Sequence, residues 1–407
     1  MKFDKVRYEN FGGIVSCKEP PFLAWVDKSF MKKLGYSHSP LWYSNSKKSQ
    51  YLSAPTEVHF SVTNKCQYVC SNCYMESHKT SYDDLSLREV KNILDILARM
   101  GVFHVALGGG EAFERKDFGE IVTYCNSIGL VANVTTNGMK IESNEINICK
   151  QMGQVNISID GIGSLYSCNG RKGQFQAADK ALKTFKNNGI QAGINCVVSS
   201  KNYNHLEEII SYACTLKVNE IEFLKFKPYG KGKIKYNEHA LTQEMIRSFY
   251  PALKRFSKKY SVELKIDCSF IPAMVFHKPP KDELEILAVT GCDGGNLLLA
   301  IRNNGYFSGC SFIENSESAF DLESKWHTSQ HLKNFRELTN NTKEPCLSCD
   351  YLSICRCGCR VVSLYRCNDF FAPDPECPIV FEYNKQRKKD EKKNPLTERY
   401  SENQIRI

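Results

Sequence analysis

What the 407-residue chain lacks sets the first limits. No stretch approaches the roughly 18 apolar residues of a membrane span. The opening, MKFDKVRYENF, lacks the apolar h-region of a secretory signal. A helical membrane protein is excluded on these grounds, and a cytoplasmic location is the expectation. A fourth cysteine is also missing where one would be sought. Cys66, Cys70 and Cys73 fall within eight positions, in NKCQYVCSNCYM, and no cysteine or histidine follows at ligand spacing except His78.

Cysteine is otherwise plentiful. The count of 19 is odd, and a chain this long can bury a core without disulfide staples. Thiols kept reduced point instead to metal ligation. Seven lie between Cys346 and Cys377, whereas Cys17, Cys125, Cys149, Cys196 and Cys214 are scattered and read as small buried hydrophobes. The formal net charge is +9, and residues 384–407, with eight Lys/Arg against four Asp/Glu, hold +4 of it. That stretch, with QRKKDEKKNP inside it, reads as a basic, disordered tail. No aromatic is interleaved with its basic run, so it offers no stacking platform, and nucleic acid is disfavoured as a partner.

In residues 1–54, YENFGGIVSC reads as a strand pair with a Gly-Gly turn. FLAWVDKSFMKKLG, after Pro20–Pro21, reads as a short helix closed by Gly35, and 36–54 as a linker. From 57 a βα rhythm begins. EVHFSV, VFHVAL, LVANVT, VNISI, IQAGINCVV and EIEFLKF are strand-like, and each is followed by a helical pattern. The first of these helices, in DDLSLREVKNILDILARMG, is expected to have an Asp cap. VELKID adds a further strand. Connections too long for hairpins imply a parallel sheet, open or curled into a barrel. From about 268 the periodicity fades into cysteine, glycine and asparagine. The expected organisation is an N-terminal segment (1–54), an α/β barrel (55–267), a cysteine-rich irregular domain (268–383) and the tail (384–407).

Ligands of such sheets bind at the carboxyl ends of the strands. There the sequence places NKCQYVCSNC, GGGEAF, TNG, DG, VSSKN and KPYG, one after each successive strand. A structural zinc site or an ordinary [4Fe–4S] cluster takes four ligands. Three thiolates leave one iron open, and an open metal position is where chemistry happens.

The C-x3-C-x2-C loop after the first strand, joined to these other loops, resembles the radical S-adenosylmethionine (radical SAM) enzymes over about residues 57–265. The resemblance implies a partial (β/α)6 barrel, a [4Fe–4S] cluster on Cys66, Cys70 and Cys73, and S-adenosylmethionine chelated to the open iron. Reductive cleavage would then give a 5′-deoxyadenosyl radical that abstracts hydrogen. It further implies that Gly109, Gly110 and Glu111 meet the methionyl amino group, that Asn137 belongs to the cofactor site, and that Ser158 and Asp160 lie near the ribose. Arg171 would face the carboxylate, and Val197 and Val198 the adenine. Ala112 stands where that family usually has proline, and Asn72 where an aromatic is common.

Downstream, Cys292-x12-Gly305-x4-Cys310, Cys346-x2-Cys349-x5-Cys355-x3-Cys359 and then Cys377 resemble the SPASM domain, which carries two auxiliary iron–sulfur clusters. Alone, Cys346-x2-Cys349 would suggest half a zinc ribbon. The resemblance implies one auxiliary cluster on Cys346, Cys349, Cys355 and Cys377. The other would use Cys292, Cys310 and Cys359. The cysteine that often follows the first of these is absent here, since DGGNLLLA comes next. Cys357, Cys367 or Cys268 could replace it, or the site is open to a substrate thiolate.

Together these features imply a peptide maturase that installs a thioether or carbon–carbon crosslink in a ribosomally made precursor. It would be served by a reductant such as ferredoxin or flavodoxin, and by a separate leader-peptide-binding protein if residues 1–54 do not suffice. An anaerobic sulfatase-maturing, formylglycine-generating enzyme is the alternative. It is weakened by Ser311, where an aspartate base typically follows the second SPASM cysteine. A non-catalytic iron–sulfur electron carrier is the alternative from another class, and it has no need of a cofactor pocket.

Overall fold

The computed structural model describes residues 3–36, 38–43, 51–77, 83–165, 174–218 and 220–393. Strands β1 (Lys5–Glu9), β2 (Gly12–Lys18) and β3 (Pro21–Asp27) form an antiparallel sheet in that order. The expected strand pair is present, but it turns at Asn10 and Phe11, and the two glycines open β2. The helix expected from Phe22 is confined to Lys28–Lys33. Phe22, Leu23, Trp25 and Val26 are strand formers and pair with β2 instead. Asp27 ends the strand and caps the helix, its carboxylate accepting from the Phe30 amide at 2.7 Å.

Seven parallel strands follow in sequential order: β4 (Glu57–Thr63), β5 (His104–Gly109), β6 (Val131–Thr136), β7 (Gln154–Ser158), β8 (Ala192–Val198), β9 (Ile221–Lys225) and β10 (Leu264–Ile266). Beyond the six expected repeats, the cysteine-rich segment extends the same sheet. Strand β11 (Leu298–Ile301) lies parallel to β4, and β12 (Phe307–Ser308) runs antiparallel to β11. Leu299, Ile301, Phe307 and Trp326 share one core with the barrel strands and helices, so the hydrophobic core is continuous across residue 268.

Alternation along β4 explains how the sheet is covered. Val58, Phe60 and Val62 are buried with Val90, Ile93, Leu94 and Leu97 of the helix Leu87–Arg99. Glu57, His59 and Ser61 point to the other face. That face is the inside of a curl. Glu222 on β9 lies close enough to His59 on β4 for its charge to act there. In a flat sheet, five strand spacings of about 4.8 Å would hold them roughly 24 Å apart.

The N-terminal sheet docks at the amino ends of the barrel strands, opposite the loops that carry the cysteines. Arg7 pairs with Glu9 at 2.8 Å and donates to the Pro55 carbonyl at 2.7 Å and the Gly101 carbonyl at 3.2 Å. Glu9 in turn accepts from the Ser53 amide and hydroxyl. Strand β3 pairs with β2 alone, so its outer edge has no strand partner among the described residues. At the other end of the chain, the helix Pro378–Lys393 carries the first half of the basic run, so the tail expected from 384 is helical to 393. Residues 394–407 lie outside the described residues.

The Arg7–Glu9 pair is nearly inaccessible, its side chains 7% and 3% exposed. Glu9→Ala should therefore destabilise the fold by about 3 kcal/mol or more, by leaving Arg7 buried without its counter-charge. Arg7→Met with Glu9→Leu should cost less. Urea unfolding of the three proteins is the measurement.

Candidate active site

The loop after β4 is held down before its first cysteine. Asp84 accepts from the Thr63 hydroxyl at 2.6 Å, the Asn64 amide at 2.8 Å and the Asn303 amide group at 3.1 Å. Asp84 thus does not cap the following helix, contrary to the expected Asp cap. Ser86 does, in a capping box with Glu89. Arg115 adds a second brace, donating to the carbonyls of Val62 at 2.7 Å and Leu85 at 2.8 Å.

The Gly-Gly-Glu turn after β5 packs directly on the backbone of this loop. The Gly110 amide donates to the Thr63 carbonyl at 2.9 Å, and the Glu111 amide to the Lys65 carbonyl at 2.8 Å. A Cβ on Gly109, whose φ is +129°, would lie 2.0 Å from the Thr63 oxygen, and one on Gly110 would lie 2.2 Å from the Lys65 oxygen. Only glycine permits that approach. The Glu111 carboxylate is buried and reaches the next loop, accepting from the Thr136 hydroxyl at 2.7 Å and the Asn137 amide at 2.8 Å. Burial pushes its pKa up to about 7, against the pull of those hydrogen bonds. Asn137 then turns toward the cysteines. Its Oδ1 accepts from Gln67 at 3.2 Å, and its Nδ2 lies 4.0 Å from the Cys66 sulfur.

The three thiols face one another closely enough that Cys70 and Cys73 both act on Cys66, whose pKa burial pushes up to about 11. The far end of the loop rests on the β9 turn: the Lys231 amide donates to the Cys73 carbonyl at 3.0 Å. Asn72 has a buried side-chain oxygen with no hydrogen-bond partner among the described residues. Three soft thiol donors on one short loop, with an orphaned acceptor on the same loop, fit a cluster with a polar ligand.

Farther along the rim, the buried Asp160 accepts from the Val197 amide at 2.8 Å, and its backbone carbonyl accepts from Asn202 at 2.8 Å, which fixes the ends of β7 and β8 together. Ser158 closes β7 nearby. Val198 does not share the inner face with Val197. Alternation places it in the helix-side core, where it is fully buried, so its side chain is withdrawn from the pocket. Arg171 and His78 lie outside the described residues.

The downstream cysteines form two sets. Cys346, Cys349, Cys355, Cys357 and Cys377 line one apolar-walled cavity. Cys357 belongs there, paired with Cys346. The second set gathers Cys292, Cys310 and Cys359 around the buried Lys227. Tyr74, next to Cys73, meets the ring of Phe312, near Cys310, at 4.9 Å between centroids and a 43° tilt.

Sequence reading missed Asp84, Arg115 and the inward polar row. The row was legible as the alternation E-V-H-F-S in β4. Asp84 and Arg115 act across the fold and left no local signal. Glu57 holds His59 through a 3.1 Å hydrogen bond. Burial lowers the imidazole pKa, but that bond and the carboxylate charges prevail and raise it.

A curled parallel sheet whose first loop presents three thiols against a Gly-Gly-Glu turn defines a cofactor-dependent radical enzyme of one class. Residues 60–213 match the radical SAM superfamily. That stretch carries a radical SAM domain, and the superfamily uses S-adenosylmethionine and a [4Fe–4S] cluster. It is 29% identical to mycofactocin maturase MftC of Mycolicibacterium smegmatis, over 80% of this chain and 83% of that one. It is 24% identical to the Fe-coproporphyrin III synthase of Methanosarcina barkeri, over 80% and 88%. Its fold matches that of Streptococcus suis SuiB, seen bound to the precursor peptide SuiA, with a TM-score of 0.72 and 20% identity over 92% of this chain and 98% of that one. No helix among the described residues is long and apolar enough to cross a membrane.

Two outcomes are expected. Glu111 titrates near 7 when folded and near 4.5 when unfolded. Its raised folded pKa means that its stabilising contribution is complete below about pH 4.5 and is lost as pH rises through 7. Between pH 5 and 8 the wild type should lose up to about 3 kcal/mol relative to Glu111→Gln, read from urea midpoints across pH. Gly110→Ala should push the Cys66 loop away and lower bound iron by about four atoms per chain, measured by elemental analysis.

Proposed function

We propose that the protein is a peptide maturase which installs a thioether or carbon–carbon crosslink in a ribosomally made precursor. The observation that carries this reading is the gathering of the downstream cysteines into two sets beside the barrel. Similarity to MftC across four-fifths of the chain supports it. In this reading Cys66, Cys70 and Cys73 hold the catalytic cluster. Cys346, Cys349, Cys355 and Cys377 hold one auxiliary cluster, and Cys292, Cys310 and Cys359 contribute to the other.

The cluster and S-adenosylmethionine, when bound, would supply hydrogen-abstracting radical chemistry, and this chain's residues act by placement. The Gly109–Glu111 turn lies at the methionyl end. Glu111 orients Thr136 and Asn137 around it through bonds of 2.7 and 2.8 Å. Asp160, anchored by the Val197 amide, would hold the ribose together with Ser158, and Val197 would pack on the adenine. Arg171 is assigned to the carboxylate. The polar inner face, with Glu57, His59 and Glu222, receives the substrate segment, and His59 is the group there placed to move a proton.

The free edge of β3 suits an extended leader peptide by strand addition. A leader docked there sits at the opposite end of the barrel from the cysteine loops. The modified segment must therefore run the height of the barrel, about 20 Å for strands of this length. A separate leader-binding protein remains an additional partner, and a ferredoxin or flavodoxin the reductant. The likeness to a Fe-coproporphyrin III synthase makes a tetrapyrrole the competing substrate class.

With S-adenosylmethionine and a strong reductant, the anaerobic protein should form 5′-deoxyadenosine. Co-expressed with short peptides encoded beside its gene, it should remove two hydrogens per crosslink, read by mass spectrometry. Thiol alkylation would then show whether sulfur is consumed. Unchanged masses with every neighbouring peptide, together with formation of iron-coproporphyrin from a tetrapyrrole precursor or turnover of a sulfatase peptide, would overturn the crosslinking reading.

A further inference from the structure

The inner face of β4 carries a hydrogen-bonded row that binding of the cofactor does not use. His59 Nε2 lies 3.1 Å from Glu57 Oε1, and His59 Nδ1 lies 3.3 Å from Ser311 Oγ. Glu57 and His59 are two residues apart on one strand, so both side chains point into the curl. Ser311 arrives from the loop after β12, 252 residues along the chain from His59. Its backbone is held by Arg302, which donates to the Ser311 carbonyl at 3.4 Å and also to the Tyr229 hydroxyl. The residues on either side of Ser311 mark the place. Cys310 packs with Cys292 and Cys359 in the downstream set, and Phe312 meets the ring of Tyr74, the residue after Cys73. Ser311 thus stands where the first cysteine loop and the second cysteine set come together.

We propose that Ser311, His59 and Glu57 form a proton relay that takes up the proton released when the crosslink forms. The proposal rests on the maturase reading above. An ionised carboxylate only accepts, so Glu57 fixes the Nε2–H tautomer of His59 and leaves Nδ1 to accept from the Ser311 hydroxyl. The balance of the reaction calls for such a base. One substrate C–H gives its hydrogen atom to the 5′-deoxyadenosyl radical, forming 5′-deoxyadenosine. The second substrate group, a thiol S–H or an aromatic C–H, bonds to that carbon and loses its hydrogen as a proton. The electron left over goes to an oxidised iron–sulfur cluster. Ser311 Oγ receives the proton as its own passes to His59 Nδ1, and the Glu57 carboxylate holds the resulting imidazolium. Ser311 meets the substrate, His59 is where the proton rests, and Glu57 is a positioning residue.

Stability does not account for the row. Strands surround the pair, yet the His59 and Glu57 side chains stay 44% and 41% exposed, so they line a hollow rather than a core. An ion pair that open contributes little to folding. The charged and titratable groups around the imidazole are Glu57 beside it, Glu222 and Glu220 on β9, Asp267 after β10 and His104 on β5. Burial lowers the imidazole pKa, but Glu57 and Glu222 raise it overall. The other polar groups at this seam are already engaged. Lys227 is ion-paired with Asp267, and Tyr229 donates to Glu314 at 2.7 Å while accepting from Arg302.

The test uses the anaerobic, iron-replete protein in two arms. In the first, exchange of each imidazole C2 hydrogen for deuterium is followed across pH, peptide by peptide, by mass spectrometry. The His59 midpoint should lie above the ordinary 6.5 and fall by about one unit in Glu57→Gln. A midpoint that Glu57→Gln leaves in place would overturn the relay. In the second arm, the neighbouring peptide that the wild type crosslinks is offered to His59→Gln, Ser311→Ala and Glu57→Gln. The readout is the ratio of crosslinked product to 5′-deoxyadenosine. That ratio should fall about 100-fold in His59→Gln, and it should fall in Ser311→Ala as well. In Glu57→Gln the acid limb of crosslinking should move down by about one pH unit, because the imidazole stays neutral to lower pH. Parallel loss of crosslink and 5′-deoxyadenosine in His59→Gln, with the ratio unmoved, marks a structural role and sinks the relay alone. A wild type that crosslinks no neighbouring peptide sinks the maturase reading, and the relay's task falls with it.

Discussion

The backbone contact between the turn after β5 and the cysteine loop is the constraint on which the site depends. Two carbonyls one residue apart, of Thr63 and Lys65, are met by the amides of Gly110 and Glu111 at 2.9 and 2.8 Å. The space left at these positions has no room for a side chain. This contact sets how far the Cys66 loop stands from the strand ends. Glu111 passes the restraint to the third loop through its buried carboxylate. A cluster held by flexible thiols needs such a frame, because the loop itself has little regular structure to fix its ligands.

The inner face of the curled sheet has a different character from the outer. Outside, apolar side chains alternate into a core shared with the helices. Inside, Glu57, His59 and Ser61 on β4, and Asn156 and Asn195 on β7 and β8, present polar groups. The two asparagines bond to each other at 2.8 Å. Placing polar groups where a hydrophobic core would be more stable makes sense if the lumen holds a polar ligand. The edges meet at Lys227, which pairs with Asp267 and lies over the Phe312 ring, and at Tyr229, which meets Phe312 edge-to-face.

Legibility followed the range of the interactions. Strands β4 to β9 were readable because burial alternates along each within a few residues. The helix wrongly extended back over Phe22–Asp27 shows the limit: that run is both amphipathic and rich in strand formers, and pairing with β2 decides its state. Asp84 looked like a cap because it precedes a helix, yet its partners are Thr63, Asn64 and Asn303. Val198 looked like a pocket residue because it adjoins Val197, and the two-residue period of a strand sends it to the other face.

By itself the sequence determined the chemistry of the first cysteine loop, because three thiols on seven successive linking bonds of backbone are held together wherever the chain goes. The same holds for the Gly-Gly-Glu turn and for the close pair Cys346 and Cys349. Only the tertiary structure decided that the cysteine-rich segment continues the barrel's own sheet through β11. Only it decided that Cys357 joins Cys346, and that Cys292, Cys310 and Cys359 pack together. Those neighbours are set by the closing of a sheet whose edges lie far apart in the chain, and no local spacing encodes that closure.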